Sequence, residues 1–347
     1  MIAPLIFRAD AGLEIGSGHV MRCAALAQAW QNRGGAVVFA GNISGKLASL
    51  LEAQGMQVRQ STGAPGSSLD AQSTIRLARD SPGSWVVIDG YHFGSLFQQQ
   101  IADSETGVAC IDDNAHLDHY FGRILLNQNI HAAPGMYDGR VGSSMKLLLG
   151  PEFCLLRQEF ASTPAPPRDH DRVKRLVVTF GGSDPAGLTP RVLRILAPLA
   201  ESDWEVRVVL GSGSACSAEV ADLAATLMKG RIQLLVQPGS MRDVFAWADI
   251  AISAAGSTLY ELMYMGVPTI AVVVAENQKL AQVALERSGT MLTLPDVERI
   301  GVELPSCLER LCQDRALRVH MSAAGRRMVD GAGAARVSDV ILEQMNG

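Results

Sequence analysis

The chain has 347 residues, of which 48% are hydrophobic and 19% charged, and its formal net charge is −5. That is enough apolar material for two packed cores, and it excludes a disordered chain. Neither half is basic. Residues 1–160 carry 11 Lys and Arg against 14 Asp and Glu, and residues 161–347 carry 19 against 21, which argues against a nucleic-acid partner.

The predicted elements alternate. A strand over 5–9 runs into a Gly-rich loop and a helix over 20–33, closed by Gly34 and Gly35. A strand over 36–40 follows, then helices over 47–54 and 69–79. Apolar runs at 85–88, 107–111 and 124–126 end at Asp89, at Asp112 and at Asn127. Continuous apolar runs closed by a polar residue predict parallel strands covered on both faces. Residues 161–174 hold three prolines and a charge run and read as a linker. The alternation then restarts. Strands are expected at 175–180, 205–210, 232–236, 250–253 and 269–274, with helices at 189–199, at 241–247 and from 259. Residues 303–345 read as helical with a Gly break at 331–333.

This pattern predicts two doubly wound, Rossmann-like α/β domains. The first covers 1–160 and the second 175–325, and 326–347 form a C-terminal helix able to cross back to the first. Ligands in such folds sit beyond the carboxyl ends of the strands, and a cleft between two facing halves is the natural site. The six cysteines form no CxxC pair, as expected of reduced thiols in a cytoplasmic protein. The apolar start is short and meets Arg8 and Asp10, unlike a signal peptide. The apolar run 267–275 is interrupted by Pro268 and is too short to span a bilayer. No membrane partner is expected.

Three strand-to-helix loops carry chemistry. Gly16-Ser17-Gly18-His19 opens the first long helix. Its glycines allow close backbone approach, and free N–H groups at a helix start favour an anion. It resembles half of the dinucleotide fingerprint, but Met21 stands where the third Gly belongs, and Gly41-Asn42 ends the second strand with no acidic residue. NAD and FAD are therefore disfavoured, and no cofactor is expected. His19 is the candidate general base, because a helix start disfavours imidazolium; plain capping or packing is the alternative. Gly181-Gly182-Ser183-Asp184 can cradle a phosphate or simply turn the chain. In Ser253–Glu261, Gly256, Ser257 and Thr258 can offer N–H and hydroxyl groups to a diphosphate, and Glu261 can bond both ribose hydroxyls. A capping box of Thr258 and Glu261 fits the same spacing.

Weaker candidates also sit at strand ends. They are Asp89-Gly90-Tyr91-His92, Asp112-Asp113, Asn127-Gln128-Asn129 and Asn277-Gln278. For Asp112-Asp113 helix capping is favoured over Mg²⁺, since adjacent side chains diverge. Asn277 and Gln278 could reach a sugar or diphosphate, or cap a helix. His116, His119 and His131 lack metal-ligand spacing, and no metal site is expected.

Several of these segments resemble a known family. Arg8-Ala9-Asp10, the run from Ile15 through Gly16, Ser17, Gly18 and His19 to Arg22, Asp89-Gly90-Tyr91 and Asp112-Asp113-Asn114 come in its order. So do Leu125-Leu126-Asn127, the stretch from Leu149 to Phe160 with Arg157, Gly181-Gly182-Ser183-Asp184, Ser253 to Glu261, and Asp330-Gly331-Ala332-Gly333. Together they resemble the UDP-2,4-diacetamido-2,4,6-trideoxy-β-L-altropyranose hydrolases of pseudaminic acid biosynthesis. The small-residue loop with Glu261 also resembles the UDP-GlcNAc-dependent transferase that completes the cell-wall lipid precursor.

The resemblance implies a GT-B fold with UDP held mainly by the second half. It implies hydrolysis of a UDP-sugar by water attack at C1, with inversion and without a required metal. His19 would be the base. Asp10, Gly16, Ser17, Gly18, Tyr91, Asn127, Arg157, Gly181, Gly182, Gly256, Ser257, Thr258, Glu261, Asn277 and Gln278 would bind substrate. Arg157 could equally support the inter-domain segment. The alternative is an inverting UDP-sugar glycosyltransferase. The mildly acidic first half, without a long apolar loop, favours water over a membrane-bound acceptor.

Overall fold

The computed structural model describes residues 2–12, 15–43, 45–161, 165–168, 171–182, 184, 186–199, 203–211, 217–227, 230–274 and 276–346, with the backbone alone at 161, 217, 276 and 277. The chain divides into two compact units. Unit 1 is Met1–Gln158 with Gly331–Gly347, and unit 2 is Glu159–Asp330.

Unit 1 contains β1 (Leu5–Ala9), α1 (Gly18–Gln31), β2 (Val37–Ala40), α2 (Gly45–Ala53), β3 (Gln57–Arg59), α3 (Ser68–Arg79), β4 (Trp85–Asp89), α4 (Ser95–Ala102), β5 (Gly107–Ile111), β6 (Ile124–Asn127) and β7 (Lys146–Leu149). Its seven strands are parallel, in the order β3-β2-β1-β4-β5-β6-β7. Alternate strand residues feed two cores, as a period of two requires. Leu5, Phe7, Val87 and Leu126 pack with Cys23, Leu26 and Trp30 of α1 on one face. Ile6, Val86, Ile88 and Leu125 pack with Ala71, Phe97 and Ile101 of α3 and α4 on the other.

Unit 2 begins at Glu159, within α5 (Gln158–Ala161), and continues through β8 (Arg175–Thr179), α6 (Leu188–Leu199), β9 (Glu205–Leu210), α7 (Ser217–Thr226), β10 (Ile232–Val236), α8 (Met241–Trp247), β11 (Ile250–Ala254), α9 (Thr258–Met265), β12 (Thr269–Val272), α10 (Glu276–Ser288), β13 (Leu292–Leu294), α11 (Ile300–Gln313) and α12 (Arg315–Met328). Its six parallel strands run β10-β9-β8-β11-β12-β13. The long helical stretch expected from 303 breaks additionally at Asp314, whose carboxylate caps α12 at the Leu317 amide. The last helix, α13 (Gly333–Asn346), belongs to unit 1, where Val337 and Ile341 complete the core against α1.

The described part of the proline-rich segment 161–174 is fastened to unit 2. Arg168 donates to the carbonyls of Phe245, Ala248 and Met265, which cluster at the carboxyl ends of α8 and α9, where a cation is favourable. Burial lowers the Arg168 guanidinium to about 10. No disulfide links the five described cysteines; Cys216 lies outside the described residues. Among the described residues no helix is long and apolar enough to cross a membrane.

Both sheets reverse their strand order beside the first strand, between β1 and β4 and between β8 and β11. Such a switch point opens a crevice beyond the carboxyl strand ends. Glycine shapes both. A Cβ on Gly41 would lie 1.9 Å from the Ala9 carbonyl oxygen, and one on Gly211 would lie 2.1 Å from that of Gly182. In each unit the turn after the second strand therefore closes on the loop after the first.

Candidate active site

In unit 1, within the β1–α1 loop, Gly12 and Gly16 exchange backbone hydrogen bonds at 3.2 and 2.8 Å. Gly16 takes a φ of +75°, a region L side chains avoid. Gly16, Ser17 and Gly18 are exposed, and open space surrounds the places where Cβ atoms on Gly16 and Gly18 would sit. Ser17 makes no side-chain cap. The first turn of α1 thus presents backbone N–H groups at the switch point, with His19 as its second residue.

His19 Nδ1 lies 2.7 Å from Asp89 Oδ1 at the end of β4. Arg22, one turn on along α1, grips the same carboxylate through Nε at 2.6 Å and Nη2 at 2.6 Å. Burial alone would push the Asp89 carboxyl up, but the Arg22 guanidinium outweighs it and holds Asp89 below the usual carboxylate range. An ionised carboxylate only accepts, so the Nδ1–H of His19 donates to it. That assigns the tautomer and leaves Nε2 as the nitrogen able to take a proton.

The other edge of the Arg22 fork holds Asp113. Nη1 reaches Oδ1 at 2.8 Å and Nη2 reaches Oδ2 at 3.0 Å. Asp113 also accepts from the Tyr91 hydroxyl at 2.8 Å and from Asn129 Nδ2 at 2.8 Å. Burial and the Asp113 charge raise the Tyr91 phenol, which therefore stays protonated at neutral pH. Tyr91 is 46% exposed, and its ring meets His19 edge-on at 5.1 Å and His116 at 5.5 Å.

Two predicted contact residues face inward instead. Asp10 is buried, and its carboxylate accepts from Arg8 Nη1 at 2.8 Å and the Asn42 amide at 2.6 Å and pairs with His92 Nε2 at 2.8 Å. Arg8 in turn forks onto Asp70 at 2.8 and 2.9 Å. Asn127 is fully buried and donates from Nδ2 to Tyr137 Oη and to the Asp113 carbonyl. Both hold the walls of the site. Asp112 and Asp113 do diverge, but no helix follows them to be capped. Asp112 accepts from the Tyr120 and Tyr137 hydroxyls, each at 2.7 Å, and from the Ala115 amide, and it pairs with His116. His131 lies in a loop and is half-buried, with Nε2 3.1 Å from the Asp113 carbonyl oxygen. Arg157 is half-buried next to the boundary of the units.

Sequence reasoning overlooked Arg22 as a pivot. It is three residues from His19, the spacing at which helical side chains face each other.

In unit 2, Gly181 and Gly182 follow β8 and are exposed; Ser183 lies outside the described residues. Asp184 is buried and caps α6 through the Leu188 and Thr189 amides at 3.0 and 2.8 Å. Across the switch point, α9 starts at Thr258, with Ser257 before it making no side-chain cap. Glu261 is then the fourth helical residue, one beyond the register of the capping box. Gly256 is half-buried and Ser257 exposed. Gln278 stands beside this loop, with Nε2 4.0 Å from a Cβ on Gly256 and Oε1 accepting from the Val274 amide at 2.9 Å. The side chain of Asn277 lies outside the described residues.

Asp10, Asp89, Asp112 and Asp113, all in unit 1, are held below their ordinary range. In unit 2 the lowered carboxyls among the described residues are Asp203 and Glu286, both exposed. A depressed folded value adds stability above the unfolded value of about 4, and that stability is lost as pH falls through the folded value. Hydrogen exchange during acidification below about pH 4 is therefore expected to expose β1, β4 and β5 before β8 and β11. The reverse order would contradict this electrostatic account.

The two Rossmann-like units make this a protein of GT-B fold. Residues 176–334 match the glycosyltransferase family 28 C-terminal domain. The fold matches MurG of Acinetobacter baumannii with a TM-score of 0.68 over 98% of this chain and 99% of that one, at 18% identity. It matches HepE of Anabaena in complex with UDP at a TM-score of 0.65 over 99% and 100%, at 12% identity. A curated relative is the UDP-N-acetylglucosamine--N-acetylmuramyl-(pentapeptide) pyrophosphoryl-undecaprenol N-acetylglucosamine transferase of Xanthomonas oryzae, 32% identical over 202 residues, 54% of this chain and 44% of the relative. Another is the spore coat polysaccharide biosynthesis protein SpsG of Bacillus subtilis, 27% identical over 205 residues, 58% of this chain and 60% of the relative. The chain thus spans about half the length of these curated relatives.

Proposed function

We propose that this protein is a UDP-sugar enzyme that breaks the bond between C1 of the sugar and the diphosphate, with inversion, using His19 as general base. The observation that carries the reading is the His19–Asp89–Arg22 arrangement at the β1/β4 switch point. Nε2 of His19 takes the proton from the attacking hydroxyl. The nucleophile's oxygen bonds to C1 from the face opposite the leaving group. The C1–O electron pair departs with UDP.

Unit 2 would hold the UDP. The match of 176–334 to a glycosyltransferase domain supports this placement, and the UDP complex of HepE and the UDP-sugar in the name of the Xanthomonas relative support UDP as the ligand. The amides and hydroxyls of Gly256, Ser257 and Thr258 at the start of α9 would stabilise the charge gained by the diphosphate, and Glu261 would bond the ribose. Glu261→Ala is expected to weaken UDP binding by about 1–3 kcal/mol in calorimetry. Unchanged affinity in a folded variant would give Glu261 a structural role in α9.

Similarity to transferases favours a sugar hydroxyl as the nucleophile. Hydrolysis, expected from the sequence, is the second reading. Its support is the motif set around His19, Arg22 and Tyr91, which lies outside the 176–334 match. Incubation with UDP-N-acetylated sugars, followed by NMR, separates the two. UDP release without an acceptor is expected for the hydrolase, and release only after acceptor is added for the transferase. No release under either condition would overturn both.

A further inference from the structure

We propose that Arg22 is a positioning residue that joins His19 and Tyr91 into one preorganised unit, by gripping Asp89 with one edge of its guanidinium and Asp113 with the other. The proposal rests on the reading of His19 as the base and extends it to Tyr91, which it places as the second side chain facing the reacting sugar.

The geometry is specific. Arg22 makes four contacts of 2.6–3.0 Å to two carboxylates that come from the ends of different strands. Each carboxylate then orients one further group, His19 through Asp89 and Tyr91 through Asp113. A planar fork can hold two carboxylates at fixed angles; a lysine ammonium is a point charge and cannot. The side chains of Arg22 and Asp113 are 14% and 15% exposed and that of Asp89 is fully buried, so water screens these charges poorly.

The surroundings of His19 give the second consequence. His19 faces Asp89, Arg22 and Tyr91, while Asp113 and His116 stand behind Tyr91. Arg22 Nη2 is 3.3 Å from His19 Nδ1. Without Arg22 the Asp89 carboxylate loses both contacts that fix it against His19 Nδ1.

The test compares the full-length protein with Arg22→Gln and Arg22→Lys. Histidine ¹⁵N spectra without substrate report the His19 tautomer, and kcat measured beside UDP affinity separates positioning from binding. Arg22→Gln is expected to lower kcat by about 10–100-fold, to change the His19 ¹⁵N pattern, and to leave UDP affinity unchanged. Arg22→Lys is expected to restore the ¹⁵N pattern in part but not the full kcat, because one ammonium cannot serve both carboxylates. If Arg22→Gln does not fold, Arg22→Gln with Asp113→Asn removes one uncompensated carboxylate and is read the same way. A wild-type ¹⁵N pattern in the Gln variant would overturn the proposal. Because the ¹⁵N spectra need no substrate, a changed His19 signal supports the coupling even if no UDP-sugar is turned over, and that failure would fall on the functional reading alone.

Discussion

Replacing His19 with alanine is expected to lower turnover by about 10²–10⁴-fold while UDP still binds. The imidazole combines partial exposure, a fixed donor contact at Nδ1 and an acceptor nitrogen at Nε2. The loops proposed to hold UDP belong to unit 2, so calorimetric UDP affinity is expected to stay within error. Asp89→Asn is the companion variant. It keeps the shape of the side chain but can present an amide N–H to Nδ1, which turns the imidazole to the other tautomer and leaves Nε2 protonated. Its loss of rate is expected to approach that of His19→Ala. Wild-type kcat in either variant would remove His19 from the mechanism.

The second large effect is on stability. Ile341 of α13 is fully buried in the unit 1 core, and Val337 lies beside it at 1% exposure. Ile341→Ala is expected to cost about 2–5 kcal/mol, a large share of the 5–15 kcal/mol that holds a typical domain together. Ile341→Asp adds the penalty of a buried unpaired charge and is expected to unfold unit 1. In hydrogen-exchange mass spectrometry, peptides of β1 and α1 would lose protection while those of β8 and β11 keep theirs. Retained protection in β1 would show that unit 1 stands without α13. The helix is further tied down at its surface by Arg33 to Asp339 at 2.7 Å and Lys146 to Glu343 at 3.1 Å, exposed pairs that add little.

The strands with two buried faces were legible in the sequence because burial writes itself as an unbroken apolar run. β3 and β7 were not. Gln57–Arg59 is short and largely exposed, and Lys146–Leu149 begins with an exposed charge, so neither shows such a run. The break before α13 was legible from its glycines, but an amphipathic helix declares a face and not the partner that covers it. His19 and the three glycine loops were legible because each follows a strand. The Arg22 pivot was not, since it joins residues 67 and 91 positions apart that meet only through the order of β1, β4 and β5. Only the family resemblance points to Asp10 as a substrate contact; in the structure Arg8, buried on the strand before it, draws the carboxylate inward.

The most direct test of the central claim is the anomeric configuration of the released or transferred sugar, followed by proton NMR in early turnover of a UDP-N-acetylated sugar, with and without acceptor, by the wild type and by His19→Ala. Direct displacement assisted by His19 predicts inversion at C1 in the wild type, and no product above background from the variant that still binds UDP. Retention of configuration, or equal turnover by the variant, would contradict it.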